Sequence, residues 1–197
     1  SPVETLDAWD RELAGFAESL VADRSAATAV VASRVPEIPD ELGLPEPLTL
    51  RYRSSVDGLS AGEIVEWLAE RRDSDLARGF TQSGPHRDEL VVAHGGRELR
   101  TFGSQGQQRT GLLSLLLAER DAVAEVRDQA PIMLLDDVLS ELDAERRERL
   151  IARVADGGQA VVTTTEFDHL PQGARDCVHH VSVASGLRHH AALDVTV

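Results

Sequence analysis

Five consecutive apolar residues, Pro131 to Leu135, followed at once by Asp136 and Asp137, constrain this chain more than any other feature. The run is too short for a core helix and has the length and composition of a buried strand. Buried strands of this kind occur in parallel sheets, where consecutive strands are joined by a crossover, usually a helix. The residues downstream supply one. A helix is expected from about Ala144 to Ala155, then a Gly157-Gly158 turn, then a second buried strand from Gln159 to Thr164. Strands alternating with helices predict an α/β fold.

Upstream, Leu6, Trp9, Leu13, Phe16 and Leu20 recur at three- and four-residue steps, which predicts an amphipathic helix from about Pro2 to Arg34. Four prolines and a glycine make Pro36 to Pro47 a loop or linker. Leu48 to Ser54 alternates as a strand does. Ser60 with Glu63 has capping-box spacing and opens a helix running to about Arg78. Phe80 to His94 reads as extended, Gly95-Gly96 as a hairpin turn, and Arg97 to Thr101 as a short return strand. Gln107 to about Glu125 is an apolar helix. Val178 to Ala184 and Leu187 to Val195 predict a closing hairpin around Ser185-Gly186.

Composition narrows the function. Among 197 residues there is no lysine: all 20 basic residues are arginine. A standard phosphate-binding P-loop needs a lysine to reach the β- and γ-phosphates, so this sequence does not contain one. The net charge of −14 is unfavourable for a surface attracted to nucleic acid as a whole, leaving local patches such as Arg71, Arg72 and Arg78. Met133 is the only methionine, from which the chain is expected to be an excised domain or a processed piece. One cysteine, Cys177, cannot close an internal disulfide, and a small buried or half-buried residue is its simplest role. No apolar run approaches the roughly 20 residues of a membrane-spanning helix, and no secretory signal opens the chain. The expected setting is cytoplasmic, with no membrane partner.

Three motifs carry chemistry. An apolar strand delivering an acid at its carboxyl end is how P-loop enzymes hold Mg²⁺ beside phosphates. Adjacent carboxylates repel, and a cation relieves that repulsion. Asp136 would hold the ion, and Asp137 would sit beside it to polarise an attacking water; a solvated acidic turn is the plainer alternative. The second motif, Phe102 to Arg109, opens a helix with Ser104 and Gly106. Free N–H groups and the helix dipole favour an anion there, although an ordinary N-cap at Ser104 accounts for the same residues. The third, Ser140-Glu141-Leu142-Asp143, reads as the start of the next helix with Asp143 as N-cap, and any further meaning depends on the other two. The adjacent pairs His179-His180 and His189-His190 point to opposite faces of a strand, which is poor metal geometry.

In order and spacing these motifs resemble the ABC-type ATPase class that includes SMC and Rad50 proteins, and most closely the RecF family. Phe102 to Arg109 is similar to the signature loop, with Gln105 where many members have glycine. Ile132 to Asp137 is similar to Walker B, and Ser140 to Asp143 to the D-loop. Val161 to Thr165 falls at the switch strand, with threonine where many members have histidine. The run Ser83 to Leu90 makes RecF the closest match. The resemblance covers most of the chain and is best from Phe80 to Thr165.

The resemblance implies the C-terminal lobe of an ABC-type P-loop NTPase at residues 79–197, with a partial helical arm-like domain and return segment at residues 1–78. The P-loop would lie in an N-terminal ATPase lobe outside this sequence. ATP and Mg²⁺ are the implied cofactors. Ser104, Gln105, Gly106, Gln107, Asp143 and Thr165 would contact nucleotide, Asp136 would hold the metal, and Asp137 would be catalytic. A homodimer formed with ATP would act on single-stranded and gapped DNA with the RecR and RecO proteins, in recombinational repair. His86 and Arg87 would touch nucleotide or the neighbouring lobe, unless Gly84-Pro85 is only a strand-initiating turn. Alternatives are half of another SMC- or ABC-type ATPase, or a non-catalytic interaction module using the first helix.

Overall fold

The computed structural model describes residues 2–175, 178–184 and 187–189, which fall in two compact units, Ser1–Gln129 and Ala130–Val197. In the first unit the long helix α1 (Pro2–Ala32) packs against α3 (Ala61–Arg78). Ser60 caps α3 in a reciprocal box: its side chain accepts the Glu63 N–H, and Glu63 Oε2 accepts the Ser60 N–H at 2.9 Å. The core between the helices is built from Ala14, Ala17 and Val21 on α1 with Ile64 and Leu68 on α3, joined by Val56. This corrects the helix face expected from periodicity. Trp9 and Phe16 are 64% and 69% exposed, and Leu13 and Leu20 are exposed beside them. Helix α1 therefore has two apolar faces, and the one with small side chains meets α3.

The stretch Pro36 to Pro47 is not a bare loop. It holds a one-turn helix, α2 (Ile38–Glu41), with Pro39 in the first turn, where a missing N–H is tolerated. Val35, Ile38, Leu42 and Leu44 are buried, so the segment is packed rather than linker-like. Strands β1 (Leu48–Arg53), β2 (Glu89–His94) and β3 (Arg97–Glu98) form an antiparallel sheet in that order, in register from Leu48↔His94 to Arg53↔Glu89. The sheet thus joins residues on either side of position 78. Gly95 and Gly96, at φ 54° and 76°, make the hairpin turn.

Two other expectations are corrected here. Phe80 to Asp88 is not strand; Pro85–Arg87 forms a single 3₁₀ turn. The return strand ends at Glu98, and the chain turns into α4 (Leu99–Phe102), where Leu99 is buried. Helix α5 (Gln105–Arg127) follows, starting two residues before Gln107. The proposed basic patch is also revised. The Arg72 guanidinium binds Asp7 at 2.7 Å and Asp10 at 2.5 Å, both on α1, and Arg71 lies over the Trp67 ring at 4.1 Å.

In the second unit β4 (Met133–Asp136) and β5 (Ala160–Thr163) pair in parallel, with α6 (Ala144–Ala155) as the crossover. The register places Asp136 opposite Thr163. Leu135, Leu139, Leu142, Leu150, Val154 and Leu170 are buried. The strands are not buried on both faces as expected: Leu134 is 76% exposed, and Ile132 and Val161 are exposed. A short helix α7 (Gln172–Arg175) is followed by the antiparallel pair β6 (Ser182–Ala184) and β7 (Leu187–His189), at the place expected for the closing hairpin. Its turn, Ser185-Gly186, and the positions Cys177 and His190 lie outside the described residues. Among the described residues no helix is long and apolar enough to cross a membrane.

Candidate functional site

The second unit brings the acid pair to the carboxyl end of β4. Asp136 is exposed there, and its Oδ1 accepts a hydrogen bond from the Thr163 hydroxyl. Asp137 leaves the strand at φ 48°, a left-handed conformation uncommon for a residue with a β-carbon. Its N–H donates to both Thr163 Oγ1 at 3.0 Å and Thr163 O at 3.2 Å. The Ser140 hydroxyl donates to the Asp137 carbonyl at 2.8 Å. Asp137 Oδ1 is buried and has no hydrogen-bond partner among the described residues. A buried, unsatisfied carboxylate oxygen is costly unless a donor or cation reaches it.

This donor set suits Mg²⁺. The ion is characteristically held by one or two carboxylates, taking its other oxygens from phosphate and water. Among the described residues no group of three or more His, Cys, Asp or Glu could hold a metal by itself, so remaining ligands would have to come from nucleotide, water or another part of the protein.

The segment after the acids runs directly into α6. Asp143 is the N-cap, accepting the Arg146 N–H at 2.9 Å and pairing with the Arg146 guanidinium at 2.6 Å. The backbone bond is the main reason its carboxyl titrates below the usual aspartate range, helped by the Arg146 and Arg147 charges and opposed by burial. Arg147 Nε donates to the Leu139 carbonyl at 2.7 Å and braces the loop. Thr165 is exposed in a bend beyond β5. Thr163, which the sequence motif did not single out, is the residue that meets both acids. The signal that could have found it is the parallel register.

In the first unit Ser104 caps α5 through a second reciprocal box. Its hydroxyl accepts the Gln107 N–H at 3.2 Å, and its N–H donates to Gln107 Oε1 at 2.9 Å. The N-cap role is therefore real. Gln105 and Gly106 are exposed at the first two helical positions, where N–H groups have no acceptor within the helix. Among the described residues a β-carbon on Gly106 would meet nothing within 4 Å, so their packing gives no reason for glycine there. Capping and anion binding are compatible, because they use different N–H groups.

The Ser83 to Leu90 run is held firmly from below. The Asp88 side chain is only 2% exposed, accepts the Tyr52 hydroxyl, and lies 3.9 Å from Arg24. Arg24 also donates to the Pro85 carbonyl at 2.7 Å. His86 and Arg87 remain exposed.

No family model matches the chain. It is 35% identical over 201 residues to the DNA replication and repair protein RecF of Halothermothrix orenii, covering 95% of this chain and 52% of that protein. It is 45% identical over 130 residues to the protein of the same name in Bacillus subtilis, covering 62% of this chain and 35% of the relative. A solved structure of the recombination mediator protein RecF with ATP in the RecFOR pathway matches with a TM-score of 0.71 at 27% identity, over 84% of this chain and 46% of that one. The chain thus spans about half the length of the relatives it matches. The parallel β–α–β unit with acids at the strand end, read with this likeness, defines the class as an ABC-type P-loop ATPase fold. Within that class, the chain belongs to the RecF family.

Proposed function

We propose that this chain supplies the signature-loop, Walker B and D-loop elements of a RecF-type DNA replication and recombinational repair ATPase. The observation that carries the reading is the acid pair: Asp136 exposed at the end of a parallel strand, and Asp137 with a buried oxygen that has no partner among the described residues. In this reading Asp136 holds Mg²⁺, which when bound neutralises charge on the β- and γ-phosphates. Asp137 orients the attacking water. The exposed N–H groups of Gln105 and Gly106, with Ser104 and Gln107 setting the turn, face the terminal phosphate of ATP held by a sister subunit. Asp136 and Asp137 work beside the P-loop of their own chain, and Asp143 and Thr165 are nucleotide contacts in the same reading. ATP then favours a homodimer on single-stranded and gapped DNA, working with RecO and RecR in the cytoplasm. The relatives' names and the ATP-bound RecF structure support this.

The bare apolar face of β4 and β5, formed by Ile132, Leu134 and Val161, supports an N-terminal P-loop lobe packed on the sheet, since parallel sheets are normally covered on both faces. In the same reading residues 1–78 are part of a helical arm and return segment and residues 79–197 the ATPase part; the exposed α1 stripe of Trp9, Leu13, Phe16 and Leu20 supports the arm, while the β1–β2 pairing ties the return segment to the residues after position 78. In full-length protein, Asp136→Asn should abolish ATP hydrolysis while leaving nucleotide binding measurable; wild-type turnover would refute the metal assignment. The chain alone, lacking a P-loop lysine, should hydrolyse no ATP.

A further inference from the structure

We infer that Thr163 is a positioning residue that fixes both acids of the site, selecting which Asp136 oxygen faces the cation. The inference rests on the metal assignment proposed above and deepens it. A threonine hydroxyl has one proton and two lone pairs. The proton goes to Asp136 Oδ1, and a lone pair takes the Asp137 N–H at 3.0 Å. Asp136 Oδ2 has no hydrogen bond among the described residues, so it is the oxygen left for a metal or its water. The Asp137 N–H also reaches the Thr163 carbonyl at 3.2 Å, so one residue anchors the left-handed backbone that aims Asp137.

The neighbouring threonine cannot substitute. Thr164 Oγ1 donates to the Glu166 carbonyl at 3.0 Å and lies 3.3 Å from His169 Nδ1, so its hydroxyl is committed to the following turn. Val161 and Val162 show that this strand needs no hydroxyl to form. Among the described residues the Thr163 hydroxyl bonds to the two acids alone.

The test uses full-length protein, with Mn²⁺ as the probe for Mg²⁺ and a slowly hydrolysed ATP analogue. Free Mn²⁺ is read by electron paramagnetic resonance, and nucleotide affinity is measured separately in chelator. Removing a group that orients a metal ligand typically weakens metal binding about 10–100-fold, and Thr163→Val should do so without changing metal-free nucleotide affinity. Thr163→Ser should bind Mn²⁺ within about threefold of wild type, because the hydroxyl is retained. Thr164→Val should bind like wild type. If Thr163→Val does not give a native circular dichroism spectrum, Thr163→Ala is read in its place. Wild-type Mn²⁺ affinity in Thr163→Val, with loss in Asp136→Asn, overturns the positioning role and leaves the site intact. Wild-type affinity in both variants overturns the site and the inference together. Equal loss in Thr163→Ser and Thr163→Val also overturns it, since the hydroxyl would not be the group at work.

Discussion

Leu99 closes over Gly103 so tightly that a β-carbon at Gly103 would stand 2.6 Å from the Leu99 carbonyl oxygen and 2.7 Å from Leu99 Cδ1. From the other side, a β-carbon on Gly111 would lie 2.4 Å from Leu99 Cδ2. The junction between α4 and α5, which carries Ser104, is thus packed on side chains that are missing. The Gly103 contact is to backbone oxygen, which has no rotamer to escape into. Gly103→Ala should destabilise the protein by about 1–3 kcal/mol, the usual range for overpacking. Urea denaturation measures it, and an unchanged midpoint would show that the junction yields.

Gly106 should behave in the opposite way. Its added β-carbon meets nothing among the described residues, and alanine favours a helix by up to about 1 kcal/mol. Gly106→Ala should therefore be as stable as wild type or more so, yet impair the approach of a phosphate to the backbone. In full-length protein this predicts intact folding with weakened ATP-dependent dimerisation, seen by sedimentation. Wild-type dimerisation would remove the signature-loop role of this turn.

Tyr52 is the only tyrosine, so its ionisation can be followed directly by ultraviolet absorbance. Burial raises its pKa, and the hydrogen bond to Asp88 raises it further, while Arg24 acts in the other direction. The folded phenol holds its proton over a range where the unfolded one, at about 10, has lost it. Stability should then fall as pH rises from about 10 through the higher folded value. Asp88→Asn should move the midpoint down towards the unfolded value. A folded midpoint at the ordinary value would show that the Tyr52–Asp88 contact does not form.

Much of this could be read from the sequence, and the failures share a cause. The β–α–β unit was legible because an apolar run, a capped helix and a glycine turn are local signals. The Ser60–Glu63 box was legible for the same reason. Periodicity found α1 but not its packed face, because Trp9 and Phe16 carry far more apolar surface than Ala14 and Ala17, whereas close helix approach favours the small residues. Leu99 left the expected strand because its burial between Gly103 and Gly111 depends on tertiary packing. Arg72 counts towards a local basic patch in the sequence because its partners, Asp7 and Asp10, are distant along the chain and near only once α1 meets α3. Thr163 looks like its neighbours in sequence until the register sets it opposite Asp136.

Asp143 offers a test of how firmly the loop after the acids is held. Its carboxyl pKa is lowered chiefly by the Arg146 N–H. A depressed folded pKa contributes stability above the unfolded value of about 3.9, and that contribution disappears as pH falls through the lower folded value. Asp143→Asn keeps a capping acceptor but loses the charge, whereas Asp143→Ala loses both. Near neutral pH, alanine should cost about 0.5–2 kcal/mol, the usual value of an N-cap, and asparagine clearly less. On acidification below about 4 the wild type should converge on the asparagine variant, because protonation removes the charge that distinguishes them. Urea midpoints for the three proteins across that pH range give the answer. An advantage of wild type over asparagine that persists unchanged into strong acid would mean that the Arg146 contact is not what anchors the start of α6.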